Sequence, residues 1–181
     1  MHLPIHTVDS APADSRTVLE SIATDLGVIP NLAATAATSP ALLAGFDGLR
    51  RAVALTKLDP VLREVAGLAV GVAVDNRYGV AFHSTMLAGL GVDEADIEAV
   101  RDGRAPSTQV AAAVHDLARG AALHHGQVTP DIVDAAEAAG LSTEDILEVL
   151  LEVAFASLVG LIDNLADHVE LDGFLAGRQW P

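Results

Sequence analysis

The sequence predicts an all-α fold, and three observations support this prediction. Apolar residues recur three and four positions apart through most of the chain, which is the period of one helix face. Ser-Pro at 39–40 and Asp-Pro at 59–60 each pair a capping residue with a proline suited to the first helical turn. No segment combines apolar–polar alternation, β-branched residues and turn dipeptides, so no strand is predicted.

The first half of the chain divides into an irregular start and a series of helices. Residues 1–14 contain two prolines and no periodic pattern, so we expect an irregular N-terminal segment followed by one helical domain over 15–181. Residues 28–32 are predicted to be a tight connection, because Pro30 biases Ile29 towards an extended backbone. Helices are predicted over 15–25 (with Ser15 as its N-cap), 40–55, 60–75 and 77–89.

Four more helices are predicted in the second half, over 93–103, 107–125, 130–139 and 142–169. Ser142, with Asp145 three residues later, resembles a capping box at the start of the last helix. Two stretches, "GVDEADIEAV" (91–100) and "GLSTEDILEV" (140–149), match in register. This similarity is either the ordinary appearance of a helix after a glycine turn or a sign of two related helical halves.

Composition excludes several classes of function. The formal net charge of −15 repels phosphate backbones and anionic lipid, so neither nucleic acid nor a membrane surface is an expected partner. The absence of cysteine removes disulfides, thiolate metal sites and thiol nucleophiles. The N-terminus lacks the basic start and apolar core of a signal peptide, and the longest apolar runs are too short to span a bilayer. We therefore expect a cytoplasmic protein.

His83 is the first candidate for a functional residue. It lies in an apolar helix on the same face as Asn76 and Gly79, because these residues are spaced by four and three positions. A glycine inside a helix costs about 1 kcal/mol relative to alanine, so the space at Gly79 has a purpose. It serves either close packing of another helix or access for a small molecule.

Glu64 is the second candidate, because it lies just before the most apolar run of the chain. The helix dipole favours a carboxylate there, and Arg63 or solvent could pair with it. If the helix is central, we expect desolvation to raise the pKa of Glu64 towards the range useful for proton transfer. Spacing does not decide whether Glu64 meets His83.

The remaining histidines and motifs point to no cofactor. We expect His115 on the surface and not paired with Asp116, because adjacent helical residues point about 100° apart. The sequence contains no HExxH, EF-hand, GxGxxG or P-loop pattern. Neither a metal site nor a nucleotide cofactor is predicted.

Several segments resemble the carboxymuconolactone decarboxylase/AhpD-like alkylhydroperoxidase superfamily. They are "GVIPNL" with "SPALL" (27–43), "LREVAGLAVGVAVDNRYGVAFHSTMLAGLGVDEADIEAVRDG" (62–103) and "AAGLSTEDILEVLLEVAFASLVGLIDNLADHVELD" (138–172), so the resemblance covers roughly 26–174. It implies an AhpD-like helical bundle and homo-oligomers, trimers or hexamers, with the site near a subunit boundary.

The resemblance also assigns roles, and this sequence departs from them at the redox positions. Where AhpD-like members have Cys-x-Tyr-Cys-x-x-x-His, the present helix has Asn76, Tyr78, Gly79 and His83, and the family's glutamate matches Glu64. The proton-relay positions are retained and both cysteines are lost. In the tail, where members often carry Asn-Tyr followed by His, the sequence has Gly160, Leu161 and Asn164.

Two classes of function remain. One is non-redox acid–base chemistry of lyase or isomerase type on a small carboxylated or lactone-like molecule, as in the decarboxylase branch. Glu64, His83 and Tyr78 would then be catalytic, and Asn76, Gly79 and Arg77 would bind the substrate. The other is a non-catalytic protein with a ligand-binding or assembly role, because a buried Glu–His pair persists for structural reasons too.

We predict that the protein has no thiol-dependent peroxidase activity. An amide at residue 76 and a hydrogen at residue 79 cannot take electrons from a thiol donor. Purified protein, mixed with an organic peroxide and a dithiol donor, should consume peroxide no faster than buffer does. Turnover above that rate would contradict the prediction.

Overall fold

The computed structural model describes residues 1–181, which form nine α-helices and one 3-10 helix. The elements are α1 (Ala13–Leu26), α2 (Asn31–Ala36), α3 (Pro40–Val53), α4 (Pro60–Ala73), α5 (Arg77–Gly89), α6 (Glu94–Arg101), α7 (Gln109–Leu123), α8 (Pro130–Ala138), α9 (Thr143–Leu165) and a 3-10 helix at Gly173–Arg178. The predicted all-α class is confirmed. None of these helices combines the length and the apolar character needed to cross a membrane.

Helix α4 lies at the centre of the fold, as its apolar sequence predicts. It packs against α5, α6, α7 and α9, and every residue from Glu64 to Gly71 is buried. Gly71 allows α5 to approach closely, because a Cβ atom at this position would lie 3.2 Å from the backbone nitrogen of Val80. The two helices that carry the candidate residues are therefore in direct contact.

Two apolar cores meet at α5. One core is built mainly from α4, α7 and α9, and it includes Val80 and Leu87. The other is built mainly from α1, α2, α3 and the second half of α9, and it includes Tyr78 and Ala81. Helix α5 therefore contributes side chains to both cores, and a polar residue on this helix can lie at the boundary between them.

Two expectations about the first forty residues are wrong. Ser15 does not cap the first helix, because α1 already begins at Ala13 and the buried Ser15 hydroxyl donates to the Ala37 carbonyl at 2.8 Å. The connection predicted over 28–32 is present only up to Pro30, because an unpredicted helix, α2, occupies residues 31–36. Five of these six residues are buried, so tertiary packing stabilises a helix that is too short to show a periodic pattern.

The predicted caps of the later helices are largely confirmed. The side chains of Ser39 and Asp59 accept the expected backbone N–H groups, and Ser142 and Asp145 form both hydrogen bonds of a capping box. The matching stretches 91–100 and 140–149 share a left-handed glycine turn and a capped helix start. They then differ, since α6 has 8 residues and α9 has 23.

Two buried aspartates attach the C-terminal segment to the start of α5. Asp163 accepts the backbone N–H groups of Tyr78 and Val169, at 3.3 and 2.8 Å. Asp172 accepts the Tyr78 hydroxyl and the backbone N–H of Asn31. Helix α5 is thus held at its first turn by residues from the end of the chain.

Candidate functional site

Glu64 and His83 form a buried hydrogen-bonded pair between α4 and α5. The Nδ1 atom of His83 lies 2.8 Å from Oε2 of Glu64, and the two residues are 8% and 7% exposed. A carboxylate can only accept a hydrogen bond, so Nδ1 carries the proton and donates it. The structure brings together the two residues whose meeting the sequence left open.

Gly67 provides the space for the His83 ring. A Cβ atom at residue 67 would lie 2.2–2.6 Å from three atoms of the imidazole. Gly67 follows Glu64 by three residues on α4, so the ring rests on the helix surface beside its carboxylate partner. The sequence reasoning did not single out this glycine.

The pair changes the acid–base properties of both groups. Burial acts to raise the pKa of Glu64, but the hydrogen bond to His83 and the charges of His83 and Arg63 hold that pKa below its usual value. The expectation of a raised Glu64 pKa is therefore wrong. Burial acts to lower the pKa of His83, but the hydrogen bond and charge of Glu64, with the charge of Glu152, raise it. Each group of the pair thus stabilises the charged form of the other.

Glu152 is a third acid–base group that the sequence analysis missed. It lies on α9, is 2% exposed, and its Oε1 atom is 3.9 Å from Nε2 of His83. Burial, together with the nearby charge of Glu64, raises the pKa of Glu152 against the opposing charges of His83 and Arg63. The signal in the sequence was a carboxylate at helical spacing among apolar residues that share the buried face of α9: Val149, Val153, Ala156 and Val159.

A cavity of about 140 Å³ lies beside His83. Its walls are mostly apolar, and they include three of the four phenylalanines of the chain and its only tyrosine. These aromatic residues are Phe46, Phe82, Phe155 and Tyr78. An interior of this size and character suits a compact, largely apolar molecule.

Arg50 is the cationic side chain in the cavity wall. Its guanidinium group is already engaged, with Asp25 at 2.7 Å and Asp47 at 2.6 Å. Two carboxylates therefore neutralise the charge that a ligand carboxylate would need. Arg77, which was expected to bind the substrate, does not line this cavity. It is exposed and lines a different surface depression, near Trp180.

Tyr78 lines the cavity with its ring, but its hydroxyl is bound elsewhere. The hydroxyl donates to the buried carboxylate of Asp172. Burial and this carboxylate raise the pKa of Tyr78 far above its usual value, so the hydroxyl stays protonated. As the structure stands, Tyr78 contributes shape to the site and no free proton.

Asn76 and Gly79 are coupled by the cap of α5. The Asn76 side chain accepts the Gly79 N–H at 2.8 Å, and a Cβ atom at residue 79 would lie 2.3 Å from Asn76 Nδ2. The amide group of its own N-cap residue, and not another helix, occupies the space that this glycine leaves. Nδ2 of Asn76 is buried without a hydrogen-bond partner, and Gly79 itself lines the cavity.

His115 lies away from this site and differs from its prediction. It is buried, and its Nδ1 atom lies 2.8 Å from Oδ1 of Asp116. The expectation of an exposed, unpaired histidine is wrong, because the flexible Asp116 side chain folds back towards its neighbour. No group of three or more histidine and carboxylate side chains is arranged to hold a metal ion.

Comparison with known proteins shows a family likeness over part of the chain and a shared fold over nearly all of it. Residues 40–123, which include Glu64, Gly67 and His83, match the Carboxymuconolactone decarboxylase family. Solved AhpD-like structures share the fold over almost the whole chain. The chain therefore has an AhpD-like fold, and its residues 40–123 are similar to the Carboxymuconolactone decarboxylase family. No curated protein sequence matches it.

Several solved structures share this fold. An uncharacterized peroxidase-related protein with an alkylhydroperoxidase AhpD core, from Ralstonia eutropha JMP134, has a TM-score of 0.82 at 22% identity, covering 98% of this chain and 96% of that one. A cysteine-to-alanine variant of the debrominase Bmp8, in complex with 2,3,4-tribromopyrrole, has a TM-score of 0.77 at 17% identity, with coverages of 98% and 95%. A peroxidase-related protein from Silicibacter sp. TM1040 has a TM-score of 0.76 at 16% identity, with coverages of 100% and 95%.

Within this AhpD-like fold, the tail positions that differ from the family pattern have structural roles. The side-chain amide of Asn164 donates to the Val74 carbonyl at 2.7 Å, at the end of α4. A Cβ atom at Gly160 would lie 2.9 Å from Val74 Cγ2, so this glycine permits close contact between α9 and the α4–α5 turn. Leu161 is exposed.

We predict that Gly67→Ala destabilises this AhpD-like protein strongly. The added methyl group displaces the His83 ring, so Glu64 loses its partner while it stays buried. Separating one partner from a buried pair costs about 3–5 kcal/mol. Urea unfolding should show a loss of this order. Gly45→Ala is the matched control, because residue 45 is exposed on α3 and a Cβ atom there meets nothing within 4 Å. This variant should be slightly more stable than the wild type, because alanine favours a helix more than glycine does. Equal stability of both variants would contradict the prediction.

We also predict a pH-dependent gain in stability for Glu152→Gln. Because burial raises the pKa of Glu152 above its ordinary value of 4.5, the native carboxyl binds its proton more tightly than the unfolded one. Wild-type stability is therefore lost as pH rises above about 4.5, and glutamine removes this loss. Thermal melts should give a gain of about 1 kcal/mol at neutral pH, roughly 2–4 °C, which disappears at pH 4. A gain that is equal at both pH values would contradict this reasoning.

Proposed function

We propose that the protein catalyses non-redox proton transfer, of lyase or isomerase type, on a small neutral molecule held in the cavity beside His83. The observation that carries this proposal is the imidazole that lines the cavity while its Nδ1–H donates to the Glu64 carboxylate. In that arrangement Glu64 fixes the tautomer and would stabilise the imidazolium, and His83 Nε2 would exchange a proton with the ligand.

The residues in the cavity wall favour a neutral ligand, such as a lactone or a similar compact ring, over a ligand that carries a free carboxylate. Arg50 is the cation there, and two aspartates already bind it. Three phenylalanines supply apolar surface that suits a planar ring. A structural neighbour, Bmp8, was solved with 2,3,4-tribromopyrrole, a ring of the same size class.

Hydrogen-bond donors near the reacting centre would come from the start of α5. Nδ2 of Asn76 is an unpartnered buried donor next to Gly79, which lines the cavity. A small shift of this amide would allow it to stabilise negative charge on a carbonyl oxygen during proton removal. Asn76 and Gly79 are thus proposed as binding residues, whereas Arg77 is too remote.

The second candidate is a non-catalytic protein that binds a ligand or assembles through this fold. The tight fit of the His83 ring over Gly67 favours it, because the Glu64–His83 pair then has a structural purpose by itself. Melting of Glu64→Gln and His83→Gln separates the two readings. Large losses in both show that the pair has a structural role, which either candidate allows, whereas near-neutral or positive changes favour a strained functional site and count against the second candidate.

A homo-oligomer, trimeric or hexameric, stays a prediction. Exposed leucines at 147, 161 and 165 on α9 supply apolar surface for a second copy of this chain. The mass in solution, measured by light scattering, tests this prediction.

The catalytic proposal predicts hydrogen–deuterium exchange on a suitable small molecule. Five- and six-membered unsaturated lactones, incubated with the protein in D2O, should incorporate deuterium at the carbon next to the carbonyl group, as followed by NMR. His83→Gln should reduce the rate about 100-fold or more, the usual contribution of a general base.

His115→Gln is the matched control, because it removes a buried histidine that does not line the cavity. It should leave the exchange rate unchanged. Exchange that is equally fast in His83→Gln, or no exchange with any lactone of the panel, would refute the proposed chemistry.

A further inference from the structure

His83 lies between two buried carboxyl groups that come from different helices. Glu64 of α4 accepts its Nδ1–H at 2.8 Å, and Oε1 of Glu152 on α9 is 3.9 Å from its Nε2. The three side chains thus form a row of acid–base groups in which both ring nitrogens of the imidazole have an acidic neighbour.

Glu152 is poorly placed to exist as an isolated carboxylate. It is 2% exposed and no side-chain or backbone donor stabilises its charged form. The charged groups that act on it are His83 of α5 and both Glu64 and Arg63 of α4. Since Arg63 and His83 already interact with Glu64, a second bare carboxylate in this interior is costly.

The gap between Glu152 and His83 is small enough for direct proton transfer after a modest movement. The distance of 3.9 Å exceeds a normal N···O hydrogen bond by about 1 Å. Rotation about the side-chain torsions of Glu152 can remove such a gap, because the carboxyl is not held by any other hydrogen bond.

We propose that His83 Nε2 and Glu152 share one proton at neutral pH, so that the relay consists of Glu64, His83 and Glu152. Glu152 acts through His83 and does not need to contact the ligand. It is therefore a positioning residue, which determines where the shared proton lies. The consequence for catalysis rests on the proposed function above, whereas the shared proton does not.

The shared proton lets one form of the protein act as a base or as an acid. When the proton is on Glu152, the free Nε2 removes a proton from the ligand: a C–H bond breaks and an N–H bond forms. That N–H bond then breaks as a C–H bond forms at another carbon of the ligand, while Glu152 keeps its own proton. Removal at one carbon and return at another leaves the number of protons on the protein unchanged.

The test is an NMR titration of the intact protein labelled with 13C and 15N. We expect the His83 ring nitrogens and the Glu152 side-chain carboxyl carbon to shift in the same pH steps, as coupled groups do. In Glu152→Gln, the titration midpoint of His83 should fall by about half a pH unit or more, because the carboxylate that favours the imidazolium is gone.

Glu148→Gln is the matched control on the same helix. The Glu148 carboxylate accepts the backbone N–H groups of Lys57 and Leu58, so its removal should leave the His83 midpoint unchanged. The proposal is overturned if the wild-type Glu152 carbon titrates with the exposed glutamates, independently of His83. It is equally overturned if Glu152→Gln leaves the His83 midpoint where it was.

The lactone exchange assay then tests the use of this proton. We expect Glu152→Gln to lower kcat about tenfold with KM unchanged, and Glu152→Asp to recover part of the loss. An unchanged kcat overturns the catalytic use of Glu152. If wild-type protein exchanges no lactone, the proposed function fails, and the titration still decides whether the proton is shared.

Discussion

The hydrogen bond between Glu64 and His83 is the interaction on which the rest of the site depends. It joins the central helix α4 to α5 inside the protein, where each group stabilises the charged form of the other. This hydrogen bond requires glycine at residue 67, because any larger side chain would occupy the position of the His83 ring. The pair fixes which ring nitrogen carries a proton, and this leaves Nε2 for chemistry.

The residues at the two positions where AhpD-like members carry cysteine shape the start of α5. Asn76 at the first position caps α5, and its amide fills the space that a side chain at Gly79 would need. Asn76 and Gly79 are therefore compatible with each other, because Asn76 supplies the capping amide and Gly79 leaves the space that this amide occupies. The site combines acid–base groups with an apolar cavity, and the proposed proton transfer rests on this combination.

The order of helices was predictable to within a few residues wherever a local signal marked an end. Ser39 and Asp59, each followed by proline, start α3 and α4 as expected, since capping depends on neighbours along the chain. The predictions failed where no signal in the neighbouring sequence marks a helix. Helix α2 has only six residues and exists because the surrounding core buries it.

The sequence by itself determined the helical class, the central place of α4 and the identity of Glu64 and His83 as a candidate pair. Only the tertiary structure decided that they meet, that Glu152 approaches from the other side, and that Arg50 is neutralised by aspartates. The physical reason is that helical periodicity defines the face on which a residue lies but not the face that packs against it. Glu152 and His83 are 69 positions apart, and packing of α9 on α5 alone sets their distance.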